Sequence, residues 1–330
     1  MTLLSSTLSS TRLSTTYRPL VSAIVSAGLL TLTGISAAQA ASAQDTLDEV
    51  RFGVPPWPGI TVKSEVASQL LETLGYETRQ RELAVSVILN GLSQGDLEAY
   101  LAGWYPQERD MLAPLLEDES VVEIVDNIPS AITGIAVTDN AWQAGVRSIT
   151  DLDDHAERFG NRIYGIEAGS GINDAVLKVI DEERFGLGDW QLQESSASAM
   201  LAQVGQKVEK DEWAAFIGWQ PHWMNVTYDM HYLEDADNSG AAELEGHVAT
   251  VVRSDIEDKD ANLTRFFEQF VVGSSVQSEW VNAYSREERD ADNVAREWIT
   301  NHQDTVAEWL DGVETRDGEP AMQAVRDQLQ

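Results

Sequence analysis

The sequence predicts an α/β protein of two lobes, each built on a parallel-rich sheet flanked by helices, with a hinge between the lobes. Strand-like and helix-like segments alternate along most of the chain, which is the pattern of parallel sheets covered by helices. The chain has 330 residues, 43% of them hydrophobic, which is enough for two ordinary domains. Two apolar strand-like segments, 132–137 and 247–252, enclose a middle block, so we expect the chain to cross into a second lobe and return.

The crossings assign residues 44–132 and 247–330 to lobe I. Hydrophobic residues at every second position predict strands, and hydrophobic residues three or four apart predict helices. The elements predicted before the first crossing are, in order, strand 50–54, a helix from near 61 to 74, strand 77–81, helix 85–92 and strand 97–101. The segment from near residue 262 onward is predicted to be helical.

The same periodicities assign residues 133–246 to lobe II. Its predicted elements are strand 162–166, helix 172–180, a helix capped by Ser196 and strand 213–217. The polar segment 235–245 is predicted to be a surface loop before the return crossing. Because ligands bind at the carboxyl ends of parallel strands, we expect a site in the cleft between the lobes.

Residues 1–43 have the pattern of a secretory signal peptide. Arg12 and Arg18 precede an apolar run of small residues, and the Ala-Gln-Ala and Ala-Ser-Ala triplets that follow are small-x-small cleavage sites. The alternative is a membrane anchor, but Ser, Gly and Thr interrupt the run, which is shorter than about 20 strongly apolar residues. We therefore expect a mature protein in the periplasm.

Composition excludes several classes of function. The formal net charge of −33 argues against nucleic acid or an anionic membrane as the main partner. The absence of cysteine excludes disulfides, thiolate metal sites and a cysteine nucleophile. The sequence contains no HExxH, GxSxG, Walker A or GxGxxG motif, and its five histidines are scattered. We therefore expect neither catalysis nor a metal or cofactor.

Three tryptophans follow predicted strands in turn-like contexts, where core tryptophans are uncommon. They are Trp57 in Pro-Pro-Trp-Pro-Gly, Trp104 in Gly-Trp-Tyr-Pro and Trp219 in Gly-Trp-Gln-Pro-His. At the strand ends these rings would face the cleft, where their π faces can surround a quaternary ammonium group, which has no N–H to donate. Ordinary packing remains the alternative for any one of them.

Two further features indicate a site for a carboxylate. Gly59 and Ile60 come just before the predicted start of a helix, so their backbone N–H groups are free to bind an anion. His222, three residues after Trp219, adds a ring N–H donor. The alternatives are a plain turn glycine and a structural histidine.

The sequence resembles the substrate-binding proteins of glycine betaine and choline ABC transporters, the OpuAC/ProX-like group, over about residues 49 to 313. The segments that carry the resemblance are Leu-Ala-Gly-Trp-Tyr-Pro at 101–106, Tyr-Gly-Ile-Glu-Ala-Gly-Ser-Gly-Ile at 164–172, Glu-Ser-Ser at 194–196 and Gly-Trp-Gln-Pro-His-Trp-Met-Asn at 218–225. The resemblance implies the two-lobed fold of type II periplasmic binding proteins, a tryptophan box made by Trp57, Trp104 and Trp219, and no enzymatic activity.

The resemblance also bears on the ligand. The order of elements looks most like that of the choline-binding branch. Three positions differ from that branch: Gly59 stands in place of an acidic residue, Thr133 in place of an aromatic residue, and Ser170 in place of an asparagine of the cleft. In the betaine branch, Gly-Ile amides and the histidine of Trp-x-Pro-His hold the ligand carboxylate. Glycine betaine is therefore the first expected ligand and choline the second, while carnitine, proline betaine and sulfonio analogues stay open. Thr133, Ser170 and Gly171 are candidate contacts of the ligand in the cleft.

The resemblance implies two partners, the membrane permease and the ATPase of an ABC importer. The protein itself is expected to be a monomer. Two other classes of function are alternatives to this one. An exported enzyme acting on betaine-like compounds would need a nucleophile, metal or cofactor motif. A sensory or scaffold receptor could use the same fold, since a fold does not fix its downstream partner.

Overall fold

The computed structural model describes residues 47–235 and 237–328, so the predicted signal peptide at 1–43 lies outside the described residues. Nine strands are found within them: β1 (Glu49–Val54), β2 (Glu77–Glu82), β3 (Ala99–Tyr105), β4 (Val121–Thr138), β5 (Arg162–Tyr164), β6 (Gln191–Gln193), β7 (Ala215–Gln220), β8 (Met230–Tyr232) and β9 (Leu244–Arg253). None of the described helices is both long and apolar enough to span a membrane.

The described helices alternate with these strands as the sequence predicts. They are α1 (Pro58–Thr73), α2 (Val85–Gln94), α3 (Arg109–Glu117), α4 (Asp139–Gln143), α5 (Ala156–Phe159), α6 (Gly171–Asp181), α7 (Ala197–Glu209), α8 (Met224–Thr227), α9 (Ile256–Lys259), α10 (Ala261–Gln269), α11 (Ser274–Val281), α12 (Ala291–Asn301), α13 (Gln303–Trp309) and α14 (Ala321–Gln328). A π-helical turn, Asn282–Arg286, follows α11.

The strands pair in one continuous order, β2-β1-β3-β9-β4-β7-β5-β6, with β8 added on β4. The outer pairs β1/β2, β1/β3, β5/β6 and β5/β7 are parallel, as predicted, whereas β4 and β9 pair antiparallel with their neighbours. The predicted α/β class is confirmed. The two sheets are nevertheless joined rather than separate, because the crossing strands β4 and β9 are long and pair with each other and with strands of both halves.

The buried hydrophobic residues form two cores. Core I takes its buried residues from 50–131 and 248–325, and core II takes them from 135–242. Each core is large enough to stabilise a lobe by burial of apolar surface. The residues of core I fall within the predicted lobe I, and those of core II within the predicted lobe II. The exact boundaries between the lobes stay a prediction.

Local sequence explains how the elements that carry the site begin. Helix α1 starts at Pro58, because proline has no N–H to leave unpaired and its φ suits the first helical turn. This start is earlier than the predicted residue 61, so Gly59 and Ile60 lie within the first turn. The predicted cap of α7 is confirmed, since the N–H of Ala199 donates to Ser196 Oγ at 3.2 Å.

Two strands extend further than the sequence predicts. Trp104 lies within β3 and Trp219 within β7, instead of in turns that follow them. The glycines that suggested turns are needed inside these strands because neighbouring side chains approach closely. A Cβ at Gly103 would lie 2.9 Å from Cγ2 of Val251, and one at Gly218 would lie 2.8 Å from Cε of Met230.

Candidate ligand-binding site

A cavity lies between the two cores, and both cores contribute to its wall. The three predicted box tryptophans, Trp57, Trp104 and Trp219, all line it. Trp57 packs against both cores, Trp104 against core I and Trp219 against core II. The other predicted site residues that line the same cavity are Gly59, Ile60, Thr133, Ser170 and Gly171. The structure thus brings together the residues predicted from sequence, except His222.

Trp57 joins the two lobes beside the cavity. It is the N-cap residue of α1, and its indole N–H donates a hydrogen bond to Oε1 of Glu167, which lies between β5 and α6 in the other lobe. The second carboxyl oxygen of Glu167 has no hydrogen-bond partner among the described residues. Burial raises the pKa of Glu167 to about 7. This acidic residue was missed in the sequence because so many surface acids surround it there.

Trp104 belongs to a row of three side chains that crosses three neighbouring strands. It lies opposite Val248 of β9, and Val248 lies opposite Ile128 of β4. All three line the cavity. Because residues directly opposite each other in a sheet point to the same face, the row makes a continuous wall on the lobe I side.

Trp219 makes the lobe II side of the cavity together with Thr133, which lies opposite it in β4. Its ring meets the edge of the His222 ring, with centroids 4.7 Å apart. Aromatic edge-to-face contacts of this kind fix the orientation of both rings. The ring of Trp219 is therefore held in place by the histidine that follows it.

His222 is buried, but it is not among the residues that line the cavity. Its Nδ1 accepts a hydrogen bond from the N–H of Met224 at 3.2 Å, so the neutral ring carries its proton on Nε2. Nε2 has no partner among the described residues. Burial lowers the pKa of His222 to about 3, so the ring is neutral above pH 5. The residue offers one unused N–H donor next to Pro221, which does line the cavity.

The first turn of α1 brings backbone donors to the cavity. The first hydrogen bond of the helix runs from the N–H of Thr61 to the carbonyl of Trp57, at 3.2 Å. The N–H groups of Gly59 and Ile60 precede it and have no acceptor within the helix. Gln277 of α11 also lines the cavity, is buried, and approaches Gly59 so closely that a Cβ there would clash with its amide. Sequence reasoning did not identify Gln277, because its position depends on tertiary packing.

Two buried charged residues of the cavity wall were also missed. Burial lowers the pKa of Lys63 to about 7 and raises that of Glu108 to about 8. Glu108 accepts a hydrogen bond from the hydroxyl of Tyr100, at 3.1 Å to Oε1. Lys63 falls on the same helical stripe as Ile60 and Leu70, and a charge on an apolar stripe is the signal that could have identified it. Within residues 47–235 and 237–328, no group of three or more His, Asp or Glu could hold a metal ion.

The lobes meet across the cavity, so the structure shows a closed form. Gly171, the first residue of α6, lies so near lobe I that a Cβ there would be 2.6 Å from the carbonyl oxygen of Gln107. The indole N–H of Trp223, in lobe II, donates to Ser285 Oγ, in lobe I, at 2.7 Å. These contacts, together with the bond between Trp57 and Glu167, join residues of the two lobes.

The chain is similar to known proteins in sequence and in fold. Residues 48–301 match a family model described as the substrate binding domain of an ABC-type glycine betaine transport system. The chain is 34% identical over 168 residues to the glycine betaine/carnitine transport binding protein GbuC of Listeria monocytogenes, a match that covers 50% of this chain and 54% of that protein. The chain thus spans about half the length of that relative.

Solved structures show the same fold over nearly their whole length. An ABC-transporter choline-binding protein in complex with choline is 29% identical and superposes with a TM-score of 0.81, covering 86% of this chain and 98% of that chain. Lactococcal OpuAC, closed on glycine betaine, is 23% identical with a TM-score of 0.70, covering 79% of this chain and 99% of that chain, a likeness of fold alone.

Proposed function

Because the chain belongs to the family of substrate-binding domains of ABC-type glycine betaine transport systems, we propose that its cavity captures glycine betaine for import. The family consists of transport binding proteins and not of enzymes, and its type II periplasmic binding protein fold confirms the resemblance found in the sequence. One observation carries the choice of ligand class: three tryptophans from both lobes line a single cavity, beside free N–H groups at a helix N-terminus.

The mechanism is capture by closure, without chemistry. The trimethylammonium group lies among Trp57, Trp104 and Trp219, which attract it through cation–π and dispersion forces of about 1 to 2 kcal/mol per ring. The carboxylate accepts hydrogen bonds from Gly59 and Ile60, worth about 1.5 to 3 kcal/mol each before ordering costs. Together these contributions reach about 6 to 12 kcal/mol before ordering costs, a range that includes the value of about 8 kcal/mol for micromolar binding.

Choline is the second candidate ligand, because a choline-binding protein is among the solved structures that this chain resembles. Choline has the same ammonium group but no carboxylate. Gly59 and Ile60 supply donors, and donors suit a carboxylate better than a hydroxyl that needs an acceptor. Glycine betaine is therefore ranked first.

The closed protein delivers its ligand to a membrane permease that is driven by an ATPase, the partners with which this family works. Members of the family act outside the cytoplasmic membrane. For this chain we propose export to the periplasm through the signal peptide at 1–43. The intact mass of the exported protein checks this, since a mass that still includes the leader would contradict it.

Replacing His222 by phenylalanine is expected to weaken glycine betaine binding by about tenfold or more and to change choline binding little. The substitution keeps an aromatic ring against Trp219 but removes the Nε2 donor, whose bond to a carboxylate is worth about 1.5 to 3 kcal/mol. The matched variant His222→Gln keeps an N–H donor and should retain more of the affinity for betaine.

The effect is measured by isothermal titration of glycine betaine and choline into the unaltered protein and the two His222 variants. Since the pKa of His222 lies at about 3, the difference between the variants should be constant from pH 5 to pH 8. An equal loss for both ligands would show that His222 only packs against its neighbours. Binding of neither ligand to the unaltered protein would contradict the proposed function itself.

A further inference from the structure

Lys63 is buried under the sheet of lobe I and has no carboxylate partner among the described residues. The residue is 2% exposed. Its ammonium group donates to the carbonyl oxygen of Leu101 at 2.9 Å and to Oδ1 of Asn127 at 2.6 Å. A lysine is rarely buried without a carboxylate, because an unpaired buried charge is costly. Its two acceptors are therefore the feature that needs explanation.

Both acceptors lie where a strand carries an extra residue. In β3, Tyr100 lies opposite Val251 and Gly103 lies opposite Ala249, so three steps along β3 match two along β9. Leu101 lies within this bulge. Bulges leave backbone groups unpaired and bend the strand. The ammonium of Lys63 satisfies the Leu101 carbonyl that the bulge exposes.

The strand on the other side of β9 has an irregularity at the same level. In β4, Asp126 lies opposite Ala249 and Ile128 lies opposite Val248, so Asn127 is the extra residue. Its side-chain amide donates to the Leu101 carbonyl at 3.1 Å and to Oγ1 of Thr250 at 3.0 Å. One ammonium and one amide thus tie together α1, β3, β4 and β9.

The bulge in β3 decides where Trp104 points. In a regular strand Tyr100 and Trp104 would share a face, because side chains alternate with a period of two. Their partners Val251 and Val248 are an odd number of residues apart, so the extra residue places Trp104 on the opposite face from Tyr100. That is the face of the row formed by Trp104, Val248 and Ile128 in the cavity wall.

We propose that Lys63 is a positioning residue, which fixes the two bulges of β3 and β4 and thereby holds Trp104 in the orientation that receives a quaternary ammonium group. The proposal rests on the proposed function for its ligand. Lys63 acts through Trp104, which recognises the group that betaine and choline share. Removal of the Lys63 ammonium group is therefore expected to weaken the binding of both ligands equally.

The test is a double-mutant cycle measured by isothermal titration with glycine betaine and choline. Lys63→Met keeps most of the length of the side chain and removes its donors, and it is expected to weaken the binding of both ligands by about tenfold. In a Trp104→Ala background the same substitution should change affinity by less than about threefold, whereas in a Trp219→Ala background it should keep its full effect. Tyr76→Phe is the matched control, because it removes a buried 3.0 Å hydrogen bond to Asp260 in lobe I away from the cavity, and it should leave affinity unchanged.

Several outcomes would overturn the proposal. An undiminished effect of Lys63→Met in the Trp104→Ala background would show that Lys63 does not act through Trp104. A loss confined to betaine would indicate direct contact with the ligand carboxylate instead. If Lys63→Met does not fold, Asn127→Ala removes the other link between the bulges and should show the same coupling to Trp104.

A measurement without ligand separates this proposal from the proposed function. Hydrogen exchange of the ligand-free protein should become faster in Lys63→Met over peptides covering 99–105 and 124–130, and remain unchanged there in Tyr76→Phe. Unchanged exchange in Lys63→Met would contradict the positioning role even if betaine binds. Faster exchange in a protein that binds neither ligand would leave the positioning of Trp104 standing and refute only the transport function.

Discussion

Gly171→Ala is expected to weaken ligand binding by at least about tenfold while leaving the ligand-free protein as stable as before. In the closed form a Cβ at this position would lie 2.6 Å from the carbonyl oxygen of Gln107 and 2.8 Å from its carbonyl carbon. Both atoms belong to the backbone of the opposite lobe, so the clash is relieved only by opening the cleft. Opening of the cleft would move the methyl group away from Gln107, and alanine is a better helix former than glycine.

Isothermal titration and thermal unfolding of the ligand-free protein measure the two halves of this prediction. Gly273→Ala is the matched control, because a Cβ at that helix start would have nothing within 4 Å. The control should bind like the unaltered protein. Unchanged affinity in Gly171→Ala would mean that the lobes need not approach this closely around the ligand, and would contradict capture by closure.

Trp219→Ala is expected to weaken the binding of glycine betaine and choline by about tenfold to a hundredfold. The substitution removes one desolvated cation–π contact, worth about 1 to 2 kcal/mol, and the apolar surface that covers the methyl groups. Trp219 is the box tryptophan that packs on core II alone, so its loss also removes the lobe II ring from the box. Trp219→Phe keeps an aromatic face and should recover part of the affinity.

Trp142→Ala serves as the matched control for this prediction. Trp142 packs against core II and stacks on His231 with centroids 4.5 Å apart, but it does not line the cavity. Both alanine variants lose a large ring from lobe II, and only one should lose affinity. Titration with both ligands decides the matter, and equal behaviour of the two variants would remove Trp219 from the site.

The sequence was sufficient to predict the α/β class, most elements and the shared cavity of the three tryptophans. These features depend on local signals: periodicity, turn residues and the segments around the three tryptophans. The ends of β3 and β7 were placed too early, because Gly103 and Gly218 look like turn residues locally. Only their cross-sheet neighbours, Val251 and Met230, show why glycine is needed within a strand.

The remaining features of the site depend on contacts between distant parts of the chain. Lys63 meets Leu101 and Asn127, which are 38 and 64 residues away, and Trp57 meets Glu167 across 110 residues. Periodicity does not report such pairings. The continuous strand order also depends on contacts between distant parts of the chain, since β9 follows lobe II in the sequence and pairs with β3 and β4, which precede it.

The proposed function requires that the cavity recognise a fixed positive charge through aromatic faces. Isothermal titration of glycine betaine beside 3,3-dimethylbutanoate tests it most directly, because the two molecules share a shape and a carboxylate and differ in carrying nitrogen or carbon at the centre of the methyl groups. We expect betaine to bind at least about tenfold more tightly, since cation–π attraction to three rings is present for betaine alone. Equal affinity for the two molecules would contradict the claim.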